Sequence, residues 1–273
     1  MIPAAFDYAK AGSADEALSL LAQHGDDAKL LAGGHSLLPL MKLRLASPAM
    51  LIDIGPVKDL SYVKDGGDHV AIGALTRHRD VETSALLQSQ VPLLAHAAGQ
   101  VGDPQVRHRG TIGGSIAHSD PASDLPAVVL ALGGTMVARS SRGERTIAAS
   151  DFFTGFLESA LAPDELLTEI RVPKVPGAGW SFQKFNRRAQ DWAIVGVAAV
   201  RNGTTGIALV NMGPTPVRAS AVERALASGA SAADAAQHAA EGASPSADLN
   251  ASVEYREHLA RVLVRRALEQ AGA

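Results

Sequence analysis

Three observations predict an α+β fold. Short apolar runs alternate with helical stretches but without a regular strand–helix–strand repeat. Hairpin-type turns join the strand-like runs of the middle and late chain, and the composition shifts to Ala-rich helix after Ala219. No solenoid-type internal repeat is visible.

Taken in order, the first helix is marked at both ends. Ser13 and Glu16 have capping-box spacing, Leu18 and Leu21 supply an apolar stripe, and Gly25 stops it. A short apolar run, Lys29–Ala32, leads straight into Gly33-Gly34, and Met50–Ile54 is a second short strand closed by Gly55-Pro56. Tyr62–Ala74 reads as a hairpin turning at Asp65-Gly66-Gly67-Asp68, and Thr76–Gln88 and Pro92–Val101 read as single helices. The stretch Asp103–Gly134 is dense in Gly, Pro, His and Asp and ends in the apolar helix Leu125–Leu132. Strands Thr135–Arg139 and Glu144–Ile147 follow, joined by Ser141-Arg142-Gly143, and then Leu166–Val172. Pro173–Gly179 is the expected linker. Beyond it, Trp180–Asn186, Ala193–Arg201 and Gly206–Val210 read as antiparallel strands, the last two turning at Asn202-Gly203. Tyr255, Leu259, Val262, Leu263 and Leu268 are expected to share one face of a final helix.

Composition narrows the functions. The 273 residues suffice for one large domain or two modest ones, and 47% hydrophobic against 19% charged residues is a globular balance. With 25 Lys and Arg against 28 Asp and Glu, the formal charge is −3, which lacks the basic footprint of nucleic-acid binding. Cysteine is absent, so the chain has no disulfide, thiol nucleophile, Cys-built zinc site or iron–sulfur cluster of its own. The nine His are scattered without ligand-like pairing, and no metal site is expected. Met1–Tyr8 lacks a basic segment followed by an apolar one, and the apolar runs near Leu125–Leu132 and Trp192–Val200 are too short to span a bilayer. The expectation is a soluble, cytoplasmic protein with no membrane span.

No dinucleotide Gly-x-Gly-x-x-Gly follows a strand, and no P-loop, His-Glu-x-x-His or Gly-x-Ser-x-Gly occurs. Two short loops instead share one recipe: Ala32-Gly33-Gly34-His35-Ser36 and Thr111-Ile112-Gly113-Gly114-Ser115. Paired glycines let another object approach the backbone, and successive N–H groups form a nest for anions. One such loop on its own reads first as a tight turn; two of matching order point to a diphosphate, one nest on each side. Asp124, just before an apolar helix, reads either as a carboxylate at a helix N-terminus or as an acceptor for ligand hydroxyls. His118-Ser119-Asp120 cannot form a catalytic triad among three consecutive residues.

These loops, together with Gly102–Arg107, Asp120-Pro121, Asp124-Leu125-Pro126, Asp164–Leu167, Ile170–Pro173 and Arg187–Val197, resemble the FAD subunit of molybdenum hydroxylases. That family includes the medium subunit of carbon monoxide dehydrogenase and the flavin portion of xanthine dehydrogenase. The resemblance runs along nearly the whole chain. It implies a PCMH-type FAD-binding fold of two α/β subdomains, about 1–56 and 57–175, then a C-terminal domain, 178–273, with a small antiparallel sheet and helices. It also implies FAD held non-covalently between the loops, by Lys29, Leu30, Leu31, Ala32, Gly33, Gly34, His35, Ser36 and Leu37 on one side. Thr111, Ile112, Gly113, Gly114 and Ser115 are implied on the other, with Val101, His118, Asp124, Leu167 and Lys184 around the cofactor. Trp192 stands where family members commonly carry Tyr over one flavin face; a core aromatic opening a buried strand is the other reading. No catalytic residue beyond the flavin is expected.

The implied partners are an iron–sulfur small subunit and a large subunit with the molybdenum cofactor, assembled as a dimer of heterotrimers. This chain would take electrons from the former and pass them to an external acceptor. Two competing readings are a standalone oxidase of the vanillyl-alcohol type, with FAD attached to His35, and a flavin-free assembly subunit.

Overall fold

A computed structural model describes residues 2–272, so the outermost residues of the two expected domains, Met1 and Ala273, lie outside it. The expected α+β class is what the chain adopts. The first unit holds β1 (Asp7–Lys10), α1 (Ala14–His24), β2 (Ala28–Leu31), α2 (Leu37–Leu43) and β3 (Met50–Asp53). Its three strands form a parallel sheet in the order β1-β3-β2. Ser13 caps α1 by accepting from the Glu16 N–H at 3.1 Å. Glu16 reaches back one residue further than the usual box and accepts from Gly12 N–H at 2.7 Å.

The middle of the chain supplies β4 (Val63–Asp65), β5 (His69–Gly73), α3 (His78–Thr83), α4 (Ala85–Gln90), α5 (Pro92–Gln100), α6 (Pro104–Arg109), α7 (Ile112–His118) and α8 (Asp124–Ala131). Then come β6 (Thr135–Ser140), β7 (Gly143–Ala148), α9 (Ala149–Phe152), β8 (Phe153–Gly155), β9 (Glu158–Ser159) and β10 (Leu166–Pro173). An antiparallel sheet runs β4-β5-β10-β6-β7, with the helices packed on it around one large apolar core. The helix expected over Thr76–Gln88 is two: the chain breaks at Ser84, whose hydroxyl accepts from Leu87 N–H and starts α4. Ser competes for backbone groups in this way wherever a helix end is available.

The C-terminal unit comprises β11 (Gly179–Phe185), β12 (Val195–Asn202), β13 (Thr204–Val210), β14 (Val217–Arg218), α10 (Ser220–Ala227), α11 (Ala232–Ala236) and α12 (Val253–Gln270). Its sheet is antiparallel in chain order, with one face on α12 and the other on α8. On α12 the buried face is Arg256, Leu259, Ala260, Leu263, Val264, Ala267 and Leu268, which corrects the expected stripe: Tyr255 is exposed and Val262 half-buried. The expected linker is also corrected. Lys174 N–H bonds to Asp68 and Val175 N–H to Gln90, Val175 is buried, and Phe182, Ala198 and Val210 belong to the same core as α5 and α8. A segment fixed at its backbone and buried at its side chain is a packed turn. No helix among the described residues is long and apolar enough to cross a membrane.

Candidate functional site

A cavity of about 690 Å³ opens where the three-stranded sheet, the α6–α7–α8 segment and the C-terminal unit meet, within the size range of small-molecule sites. It is lined from below by Lys29, Leu30, Ala32, Gly33, Gly34, His35, Ser36 and Leu37. Thr111, Gly113, Gly114, Ser115, His118 and Asp124 form the opposite wall, and Val101, Leu167, Lys184 and Trp192 complete the ring. Two expected residues fall outside the lining. Ile112 is fully buried in the core beneath α7, and Leu31 packs behind the loop, where a Cβ on Gly34 would meet its Cδ1.

The loops touch each other. A Cβ on Gly33 would lie 2.5 Å from the Arg109 carbonyl oxygen and 2.8 Å from Gly110 Cα. Among the described residues no protein group accepts from the N–H groups of Gly33, Gly34, His35 or Ser36. Gly33, Gly34 and Ser36 are half-buried and His35 is exposed, so these N–H groups stand open to an acceptor from outside the chain. The second loop is different, and here the expectation of a second nest is overturned. Thr111 is the N-cap of α7, and Gly113-Gly114 form its first turn. Ile112 N–H donates to Thr76, Gly113 N–H to Ala74 at 2.9 Å, Gly114 N–H to Thr111 Oγ1 at 3.0 Å, and Ser115 N–H to Thr111. The glycine at 113 is there for contact: a Cβ would sit 2.5 Å from both the Cβ and the carbonyl oxygen of Ala74.

Electrostatics concentrates in two buried groups. Asp124, first residue of α8, pairs with Lys184 Nζ at 2.7 Å, with both side chains under a tenth exposed. Lys184 Nζ also donates to the Gln100 carbonyl at 3.1 Å. Burial pushes the Asp124 carboxyl up to about 6, and Lys184 offsets only part of this. Its Oδ1 is buried without a partner although the residue lines the cavity. His78 also lines the cavity, buried, with Nδ1 unpartnered. Burial first, then the nearby His35, Arg107 and Arg77, hold its ring down to about 4. His118 is likewise lowered, mainly by burial.

Ser119 is buried and donates to the Ile116 carbonyl at 3.1 Å, so it is no nucleophile waiting for a base. Trp192 is 58% exposed at the rim and precedes β12 by three residues, so it is not a core aromatic. Sequence reasoning missed His78, Gly102, Gln190 and a wall of Leu161, Ala162, Pro163, Glu165 and Leu166. Glu165 and Leu166 precede the expected Leu167 at the same strand entry, whereas His78 sits in no motif. No group of His, Asp and Glu among the described residues could hold a metal ion.

Comparison with known proteins agrees with this architecture. Residues 4–175 match the model for the FAD-binding domain in molybdopterin dehydrogenase, and residues 180–271 match the carbon monoxide dehydrogenase flavoprotein C-terminal domain. The carbon monoxide dehydrogenase medium chain of Hydrogenophaga pseudoflava is 43% identical over 100% of this chain and 99% of that protein. Subunit alpha of the 6-hydroxypseudooxynicotine dehydrogenase complex of Paenarthrobacter nicotinovorans is 39% identical over 99% of this chain and 96% of its own length. Among solved structures, carbon monoxide dehydrogenase from Hydrogenophaga pseudoflava superposes with a TM-score of 0.95 at 44% identity, covering 99% of this chain and 98% of that one. Quinoline 2-oxidoreductase from Pseudomonas putida 86 gives 0.92 at 33% identity, covering 99% and 98%. This chain therefore belongs to the FAD-binding medium subunits of the molybdenum hydroxylases, an oxidoreductase family that includes the carbon monoxide dehydrogenase medium chain.

Proposed function

We propose that this chain takes electrons from an iron–sulfur small subunit and passes them to an external acceptor through FAD held in the cavity. The observation that carries the reading is the run of unpartnered N–H groups at Gly33–Ser36, facing a wall built by the other glycine pair. The residues present fit the cofactor: free backbone donors suit a diphosphate, and the unpartnered Asp124 Oδ1 suits a ligand hydroxyl. FAD, when bound, supplies a redox centre able to exchange electrons one or two at a time.

The chain's own part is to bind and orient. Gly33–Ser36 N–H groups donate to anionic oxygens, and the α7 wall shapes the pocket through van der Waals contact at Gly113 and Gly114. Lys184 fixes the Asp124 carboxylate while leaving one oxygen for the ligand. Trp192 stands at the mouth, where an aromatic can cover a planar ring from solvent. With residues 1–175 taken as the FAD-binding domain and 178–273 as the C-terminal one, Lys184, Gln190, Asp191 and Trp192 are the C-terminal domain's share of the site. A molybdenum-bearing large subunit, a dimer of heterotrimers and a cytoplasmic location complete the reading.

Purified full-length chain given FAD should turn yellow with flavin absorbance, and acid should release all of the flavin. A Gly33→Val chain that folds yet keeps full FAD content would sink the loop assignment. A colourless wild type after FAD addition supports the assembly-subunit reading, and flavin retained after acid supports attachment to His35.

A further inference from the structure

His78 opens α3 directly beneath the contact between the two loops. Its own N–H donates to the Gly110 carbonyl at 3.1 Å, and a Cβ on Gly110 would lie 2.8 Å from its Cδ2 and 3.0 Å from its Nε2. Gly110 thus closes one edge of the ring, while Nδ1, across the ring from Cδ2, is buried with no partner. An imidazole buried without hydrogen bonds is costly unless something absent from the free protein completes it. The surroundings name the chemistry of that something. His35 approaches from the loop after β2, Arg77 is the preceding residue, and Arg107 comes from α6. Arg107 is held by Glu82 of α3 at 3.1 Å, Glu82 also pairs with Arg79 at 3.2 Å, and Asp80 of the same helix acts on Arg77. Helix α6 also carries His108 and Arg109, the latter acting on Arg77; of the other helices packed on α3, α4 carries no ionisable group, and the α5 histidine, His96, lies against the Trp180 ring instead.

We propose that His78 is a proton-coupled binding residue for the cofactor diphosphate, taking a proton from solvent as the dinucleotide binds and donating a ring N–H to it. The inference rests on the reading of the cavity as an FAD site. Its logic is one of charge. In the free chain burial first, then the neighbouring His35, Arg107 and Arg77, keep the ring neutral, with a pKa of about 4. An anion seated on the Gly33–Ser36 donors reverses the sign of the local field at the ring, which favours its protonated form. The bound ring pKa then lies above the free one, so affinity is greatest in acid and falls as pH rises from about 4 towards the bound value.

The test is calorimetric titration of flavin-stripped full-length chain with FAD, in buffers of different ionisation heat, between about pH 5 and 8. Wild type, His78→Phe and His78→Gln are compared; Asp124 titrates equally in all three, so differences report on His78. At about pH 6, wild type should take up close to one more proton per FAD than His78→Phe. Its affinity should exceed that of His78→Phe by about tenfold there, the gap closing as pH rises. His78→Gln, which donates but does not titrate, should recover part of the affinity without the pH slope. Riboflavin, which lacks phosphate, should show no difference between wild type and variants. Equal proton counts and slopes in wild type and His78→Phe would overturn the proposal, as would the same difference with riboflavin. Failure of wild type to bind FAD at all would instead bring down the FAD reading, and this inference with it.

Discussion

The loop Ala32–Ser36 and the segment Thr111–Ser115 both set paired glycines ahead of a serine, yet their N–H groups end in different places. In the first, Gly33–Ser36 donate to nothing among the described residues. In the second, every N–H from Ile112 to Ser115 is satisfied by Thr76, Ala74 or Thr111. The difference lies in what flanks the glycines. Thr111 has an extended backbone and a side-chain oxygen aimed at Gly114 N–H, so the second pair is drawn into a helix; Ala32 has no such oxygen. A glycine pair therefore reports close approach in both places, and leaves backbone donors open to an anion only where no cap consumes them. The second segment contributes its polar chemistry later, through Asp124.

Substitutions that separate fold from ligand test this division. Gly113→Val should do the greatest damage, above about 3 kcal/mol, because its Cβ meets Ala74 backbone and side chain at 2.5 Å and neither can retreat. Denaturant unfolding of the flavin-free chain checks it, and a near-normal midpoint would contradict the packing role. Lys184→Met should follow at about 3 kcal/mol, the low end for breaking a buried pair, since Asp124 escapes by staying protonated. Asp124 and His78 should then show opposite pH signatures in the flavin-free chain. The Asp124 pKa is raised to about 6, so its contribution is full in acid and is lost as pH rises through that value. The His78 pKa is lowered to about 4, so its contribution is full above the unfolded value and is lost as pH falls towards 4. Thus Asp124→Asn should remove a decline with rising pH, and His78→Phe should remove a rise. Parallel stability–pH curves for wild type and both variants would refute the burial argument.

What was legible in the sequence was whatever depends on local chemistry. The Ser13 cap, the Asp65–Asp68 and Asn202-Gly203 turns and the strand pairs flanking them follow from neighbours in the chain. The cavity's two glycine walls were legible because close approach to backbone admits few residue types. What stayed hidden depends on partners far away in sequence. Nothing near Thr76 says that Ser84 will restart the helix under tertiary packing, and nothing near Pro173 says that Val175 will be buried beside α5. His78 acquires its character from Gly110, His35 and Arg107, none of which is its neighbour in the chain.

The finest test of the two-loop comparison pairs Thr111→Val with Ser36→Ala. Thr111→Val deletes the oxygen that accepts from Gly114 N–H, so it should cost about 1 kcal/mol of stability, the usual worth of a helix N-cap. It also leaves that N–H free at the cavity wall, so FAD affinity should hold within a few-fold or improve. Ser36 precedes α2 without capping it by a side-chain bond, and its hydroxyl has no partner among the described residues. Its removal should move stability by less than about 0.5 kcal/mol. Affinity for FAD should nonetheless drop by about three- to tenfold, the worth of one hydrogen bond to a charged or polar ligand atom. Fluorescence titration beside thermal unfolding reads both quantities on one sample. A stable Thr111→Val, or a Ser36→Ala that loses stability and keeps its affinity, would assign the two loops the other way round.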